Sequence, residues 1–295
     1  MKRRQNEMNA NTLIIGATGN VGKELIKILS NHGHAVRTTV RSTTRTDELK
    51  SLAIEMVVAD IGDPSSLKAA MNGIERVFFV TPGVPHMVEL SSNIIQAAKD
   101  AGVKHLVKLS GADADVEAVT LTRWHRAVEK EIERSGIAYT FLRPNSFMQN
   151  IVNFNSQTIK DQGAFYAPMG DGKIALVDTR DIARVAFNVL STAGHENKAY
   201  YLSGPSAISY SEIADTLSSV IGKSVRYVDV PDEVARQSML DAGAPGVIVD
   251  AIMEMNHLNK LGKAAKVSNT VEEITGQKAT SFESFVKDYK GAFAG

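Results

Sequence analysis

Short apolar, β-branched runs alternate along this chain with segments of helical character. Thr12-Leu13-Ile14-Ile15 reads as a first strand and residues 23–30 as the helix after it. Residues 35–40 and 56–60 are further strands. A helix over 64–71 follows, with Asp63 as its N-cap and Pro64 in its first turn. Residues 76–80 form a near-continuous apolar strand. After them come a helix over 87–101 ended by Gly102, a strand over 105–109, a helix around 121–134 ended near Gly136, and a strand over 138–142. Strands that alternate with helices predict an α/β fold with a doubly wound parallel sheet, its strand ends aligned along one ligand-binding edge.

Beyond Pro144 the pattern loosens through Asn145-Ser146-Phe147-Met148-Gln149-Asn150 and the turn-rich stretch 163–172. A helix over 177–190 is expected to return to the sheet, and the rest is mainly helical with short strands and glycine turns. The predicted organisation is therefore a flexible tail (1–10), a nucleotide-binding Rossmann domain (11–150, with 174–204 returning to it), and a smaller substrate-binding region (151–173 and 205–295). The total of 295 residues suits such a pair of unequal units.

Between the first strand and helix lies Gly16-Ala17-Thr18-Gly19-Asn20-Val21-Gly22. Glycine allows positive φ and close backbone approach, and a helix N-terminus presents free N–H groups with a positive dipole end. Strand, glycine turn and helix start together predict a diphosphate site with Gly16, Thr18, Gly19, Asn20, Val21 and Gly22 as its contacts. The acid that would hold adenosine ribose hydroxyls, expected at the end of the second strand, is missing. Arg41-Ser42-Thr43-Thr44-Arg45 stands there instead, and a guanidinium suits a 2′-phosphate that a carboxylate would repel. NADP(H) is thus expected in preference to NAD(H), with Arg41 and Arg45 on the phosphate; the alternative is a solvated loop that leaves either cofactor acceptable. Asp60 and Ile61 end the third strand near the adenine or simply lead into the next helix. Thr81 and Pro82, Ser110, and Pro144 close the later strands and complete the expected cofactor contacts.

Lys plus Arg and Asp plus Glu total 33 each, so no net field favours nucleic acid or an anionic membrane. No cysteine is present, which excludes disulfides, thiolate metal sites and cysteine nucleophiles, and no metal site is expected. No run approaches the ~18 apolar residues of a membrane span, so a cytoplasmic protein, monomeric or homodimeric, is expected.

The combined motifs resemble the NmrA-like atypical short-chain dehydrogenases, among them triphenylmethane reductases and NAD(P)H:quinone oxidoreductases. The glycine loop matches their GATGxxG, and the likeness continues through Val40-Arg41-Ser42, residues 100–105, 135–144, 194–198 and Tyr200-Tyr201-Leu202. The resemblance implies a Rossmann domain binding NADP(H), a C-terminal region closing over a small-molecule substrate, and reduction of quinones, dyes or cyclic iminium compounds. Ordinary short-chain dehydrogenases use Tyr-x-x-x-Lys; here Leu121 falls at the tyrosine position and His125 at the lysine position.

His125 and Glu129 share a helix face four residues apart, so Glu129 is expected to orient the imidazole or support its protonated form. His125 then either holds the ribose, supplies a proton, or is a helix histidine packed on the sheet; Trp124 beside it reads as core. Without the tyrosine, an electron-poor acceptor that reacts through positioning is favoured. His125→Ala is expected to lower cofactor affinity more than hydride transfer. Phe147, Met148, Phe154, Phe165 and Tyr166 are expected to form a flat aromatic substrate pocket or else to pack the smaller unit's core. Asp178 and Asp181 read as helix caps without chemistry. The rival expectation is an NADP(H)-sensing regulator that binds a protein partner; a sugar-nucleotide epimerase fits less well for want of the tyrosine.

Overall fold

The computed structural model describes residues 10–42, 49, 51–52 and 54–294. The first half runs β1 (Thr12–Ile15), α1 (Asn20–Asn31), β2 (Val36–Val40), β3 (Glu55–Val58), α2 (Pro64–Ala70), β4 (Arg76–Phe79), α3 (Met87–Asp100), β5 (His105–Leu109), α4 (Thr120–Ser135) and β6 (Ala138–Pro144). Each overlaps the position its sequence pattern predicts. The second half runs α5 (Gln149–Gln162), β7 (Ala164–Ala167), β8 (Lys173–Ile174), α6 (Thr179–Ser191), β9 (Lys198–Leu202), β10 (Ile208–Ser209), α7 (Tyr210–Ile221), β11 (Arg226–Asp229), α8 (Asp232–Asp241), α9 (Gly246–Lys260), α10 (Thr270–Thr275) and α11 (Phe282–Asp288).

Seven strands pair in parallel in the order β3-β2-β1-β4-β5-β6-β9, so the chain reverses direction across the sheet between β1 and β4. The side-chain period of two divides the apolar runs between two layers. Ile14, Phe78, Val107 and Leu142 face α1 and α6, in a cluster with Leu25, Leu29, Val185 and Val189. Leu13, Ile15, Val77, Phe79, Leu106 and Phe141 face α2, α3 and α4, packing on Leu67, Ile94, Ile95, Val128 and Ile132. Burial on both faces explains why these strands read as continuous apolar runs and not as alternation.

After β6 the chain builds a third core outside the sheet, around Met148, Ile151, Ile159, Phe165, Ile213, Leu217 and Phe285. Its strands are minor: β7 pairs in parallel with β11, and β8 pairs antiparallel with β10. The turn-rich stretch 163–172 therefore contains a strand. α6 packs on one face of the sheet, and β9 docks on β6 as the seventh strand. Asp178 caps α6 as expected, accepting from Arg180 N at 2.8 Å. Asp181 is not the expected cap: it lies inside the first turn of α6 and, fully buried, accepts from Thr280 N at 2.6 Å and Thr280 Oγ1 at 2.8 Å, tying the chain before α11 to the sheet layer.

Candidate functional site

The glycine loop sits at the switch point between β1 and β4. Gly16 holds φ at +98°, and a Cβ there would lie 3.1 Å from Val80 Cβ. Gly19 donates its N–H to Gly16 O at 3.1 Å and stands as the N-cap of α1, which has no side-chain cap and no acid in its first turn. A Cβ on Gly22 would fall 2.2 Å from Gly16 O, so only glycine lets the helix start this close to the strand. Thr18, Gly19 and Asn20 are exposed while the Val21 side chain is buried, which leaves an open cradle of backbone N–H groups. These features fit a pyrophosphate: a positive dipole end, uncapped donors, and no competing carboxylate.

Arg41 lies exposed just past the C-terminal end of β2; Arg45 lies outside the described residues. Asp60 uses its Oδ1 to accept from Gly62 N at 2.8 Å in the tight turn leading into α2, and Ile61 packs against the sheet-layer core. Thr81, buried at the end of β4, accepts from Ser91 Oγ at 3.2 Å, with Pro82 exposed beside it.

Next to this edge opens a cavity of about 630 Å³. Its floor is Ser110 and Gly111 after β5 with Pro144 and Asn145 at the end of β6; its walls include Leu121, His125, Phe147 and Tyr201; its roof is Met255, Leu258 and Asn259 of α9. The roof is tied down by Glu254, which accepts from Thr120 N at 2.6 Å and Thr120 Oγ1 at 3.1 Å at the start of α4.

Of the five aromatic or apolar side chains expected in a substrate pocket, only Phe147 lines this cavity. Met148 and Phe165 are buried in the third core, where Phe165 packs on Tyr210 and Tyr227. Phe154 points to solvent at 77% exposure, and Tyr166 is exposed with its hydroxyl bonded to Gln162 Oε1 at 2.8 Å. The turn of α5 and the pleat of β7 aim these four away from the sheet edge.

Beneath the cavity lies a charged network that the sequence pattern does not announce. Glu129 is fully buried, and its carboxylate accepts from Ser110 Oγ (2.7 Å), Arg143 Nε (3.0 Å), Arg143 Nη2 (2.8 Å) and Arg126 Nη1 (3.2 Å). Its hydrogen bonds and ion pairs do not include His125. The expected orientation of the imidazole by Glu129 is thus corrected: Arg143, brought from the neighbouring strand, takes the carboxylate as a bidentate partner. His125 Nδ1 lies instead 2.9 Å from Lys108 Nζ. Lys108 projects from the wholly buried strand β5 and is itself fully buried, donating also to Leu109 O at 3.2 Å. Burial pulls the Lys108 ammonium down to about 7, with Arg143 adding to the fall and Glu129 opposing it. Burial first, and then the Lys108 charge, hold the His125 imidazole well below its usual range, so it is neutral.

Tyr201, the tyrosine on the cavity wall, is committed elsewhere. Its hydroxyl donates to Lys266 O and accepts from Asn145 Nδ2, both at 3.1 Å, and burial together with Asp113 pushes it up to about 12. Lys108, Arg143 and the roof of α9 are the site residues that sequence reasoning missed. The available signal was Lys108 itself, a lone charge within the apolar run of β5.

A seven-stranded parallel sheet with an uncapped glycine cradle at its switch point defines a dinucleotide-binding fold of the Rossmann type. The model of the NmrA-like family matches residues 8–291, and the chain belongs to that family. It is 38% identical to the NAD(P)H azoreductase of Xenophilus azovorans over 95% of this chain and 98% of that one. Among solved structures it resembles the NADPH-dependent quinone oxidoreductase of Escherichia coli complexed with NADPH (30% identity, 94% of this chain and 99% of that chain, TM-score 0.85). It also resembles the Citrobacter triphenylmethane reductase complexed with NADP(H) (28% identity, 94% and 99%, TM-score 0.83). Among the described residues, no helix is long and apolar enough to cross a membrane.

Proposed function

We propose that this chain is an NAD(P)H-dependent oxidoreductase that prefers NADPH and reduces electron-poor aromatic compounds: quinones, azo or triarylmethane dyes, and iminium compounds. The observation that carries this reading is the roofed cavity at the C-terminal ends of β5 and β6, on the same sheet edge as the glycine cradle. The backbone N–H groups of residues 20–22 would hold the pyrophosphate, Arg41 would meet a 2′-phosphate, and Thr81, Ser110 and Pro144 would border the nicotinamide end. Bound there, the reduced nicotinamide supplies a hydride. The relatives named as an azoreductase, a quinone oxidoreductase and a triphenylmethane reductase support this acceptor class.

Leu121, one helical turn before His125, presents an aliphatic wall where a Tyr-x-x-x-Lys enzyme would place its proton donor. That wall suits acceptors whose reaction depends on positioning against the hydride donor more than on stabilising an alkoxide. Leu121, Phe147, Met255 and Leu258 exclude water and offer apolar contact to a flat ring, while Asn145 keeps the floor rigid through its bonds to Tyr201 and to Ala264 O (2.8 Å). NADPH absorbance followed with a panel of quinones, azo and triarylmethane dyes and cyclic imines tests the reading. Turnover supports it; tight NADPH binding without turnover of any acceptor overturns it in favour of a sensor.

A further inference from the structure

A buried lysine is a costly residue, and in β5 an apolar side chain would fill the same space without that cost. Lys108 has no carboxylate within ion-pair distance among the described residues, because Glu129 is taken up by Arg143, Ser110 and Arg126. Its directional contacts are Leu109 O and His125 Nδ1. An ammonium has no lone pair to offer, so Nδ1 must accept from it and the imidazole hydrogen must sit on Nε2. That nitrogen lies against Gly111, where a Cβ would come within 3.3 Å of Nε2 and 2.9 Å of Cδ2; Gly111 and His125 both line the cavity. The ring is thus fixed with one nitrogen on a buried proton source and the other at the cavity wall.

We propose that Lys108 and His125 form a buried proton relay that delivers a proton to neutral acceptors as they take up hydride. The proposal rests on the reductase reading. With a quinone, hydride from the reduced nicotinamide dinucleotide leaves one substrate oxygen as an oxyanion. The Nε2 proton of His125 moves to that oxygen and a Lys108 proton moves to Nδ1. The quinone is reduced to hydroquinone, the nicotinamide is oxidised, and Lys108 is left neutral. After product leaves, a solvent proton enters at Nε2 and the Nδ1 proton returns to Lys108. A cationic triarylmethane dye needs hydride alone and bypasses the relay. His125 is the catalytic residue; Lys108 is a positioning residue that acts through it.

The charged groups around Lys108 are Glu129 of α4 and Arg143 of β6, backed by Arg126 and by Asp115, which pairs with Arg143 at 2.9 Å. Because Lys108 loses its proton as pH rises through about 7, the relay empties over the same range.

The test compares wild type with Lys108→Met in single turnovers of a 1,4-naphthoquinone and a cationic triarylmethane dye between about pH 6 and pH 9. Imidazole nitrogen resonances of the cofactor-free protein are followed in parallel. At low pH the quinone-to-dye rate ratio is expected to fall by about 10- to 100-fold in the variant, less than the ~10²–10⁴-fold worth of a general acid because His125 itself is kept. The wild-type quinone rate is expected to decline through about pH 7 and the variant to lack that limb. The His125 Nδ1 resonance is expected to be unprotonated at about pH 6 and to titrate with Lys108 in wild type only. An unchanged rate ratio, or a protonated Nδ1 at low pH, overturns the relay. Should the variant not fold, a solvent deuterium isotope effect on wild-type quinone reduction that exceeds the effect on the dye decides in its favour, and equal effects decide against it. Failure of wild type to reduce either acceptor removes the reductase reading itself, an outcome distinct from an unchanged ratio.

Discussion

Replacing Lys108 by methionine is expected to stabilise the protein in a pH-dependent way. The ammonium is fully buried, and its pKa falls from the ordinary 10.5 to about 7. At ~1.4 kcal/mol per pH unit, carrying that charge costs the folded state on the order of 5 kcal/mol. Methionine fills a similar volume without the charge. The lost hydrogen bonds to Leu109 O and His125 Nδ1 return about 1 kcal/mol each, which leaves a net gain of about 3 kcal/mol. The sign follows from proton linkage. Between the folded pKa of about 7 and the unfolded value, the unfolded chain binds more protons, so wild-type stability rises with pH across that window. The penalty is full below about pH 7 and relieved above it. Urea unfolding of both proteins at about pH 6 and pH 9 reads the difference directly. Lys108→Met should be the more stable protein at the lower pH, and its advantage should shrink at the higher one. A variant less stable than wild type at about pH 6, or a pH-independent difference, would refute the buried charge.

Three further outcomes follow from the site. Arg41→Ala should weaken NADPH binding about 10-fold or more, the worth of a charge-assisted phosphate contact of ~1.5–3 kcal/mol, while NADH binding stays within about 2-fold; equal loss for both in titration calorimetry would place Arg41 away from the 2′-phosphate. Gly22→Ala drives a Cβ to 2.2 Å from Gly16 O, so NADPH fluorescence enhancement should be lost and the melting temperature should drop; retained binding would contradict the close helix-to-loop approach. Glu254→Ala removes two hydrogen bonds that fasten the roof to Thr120, so KM for the acceptor should rise several-fold with NADPH affinity kept, and hydrogen exchange in residues 246–260 should quicken.

The first half of the chain was legible because its strands are buried on both faces. Thr12–Ile15 and Arg76–Phe79 could satisfy no other role, and the glycine loop between strand and helix carried the dinucleotide reading. β9 was harder to see: it is an edge strand whose first residues, Lys198 and Ala199, are exposed, so its periodicity is weak. The spacing of His125 and Glu129 placed them correctly on one helix, but helical spacing says nothing of a competitor on another element. Arg143 arrives from β6 and claims the carboxylate. The pocket aromatics failed for a similar reason. Composition marks Phe147, Phe154 and Phe165 alike, whereas the β6–α5 connection sends Phe147 to the cavity, α5 sends Phe154 to solvent and β7 sends Phe165 to the third core. The roof residues Met255 and Leu258 meet the sheet edge across more than a hundred residues of chain, a contact that no local pattern encodes.

The most direct measurement is the fate of the transferred hydrogen. NADPH deuterated at the transferable position of the nicotinamide is mixed with a cationic triarylmethane dye, and the leuco product is analysed by mass spectrometry. Direct transfer within a water-excluding cavity should place one deuterium on the central carbon from one face of the nicotinamide only. Product carrying solvent hydrogen, or deuterium delivered equally from both faces, would contradict it.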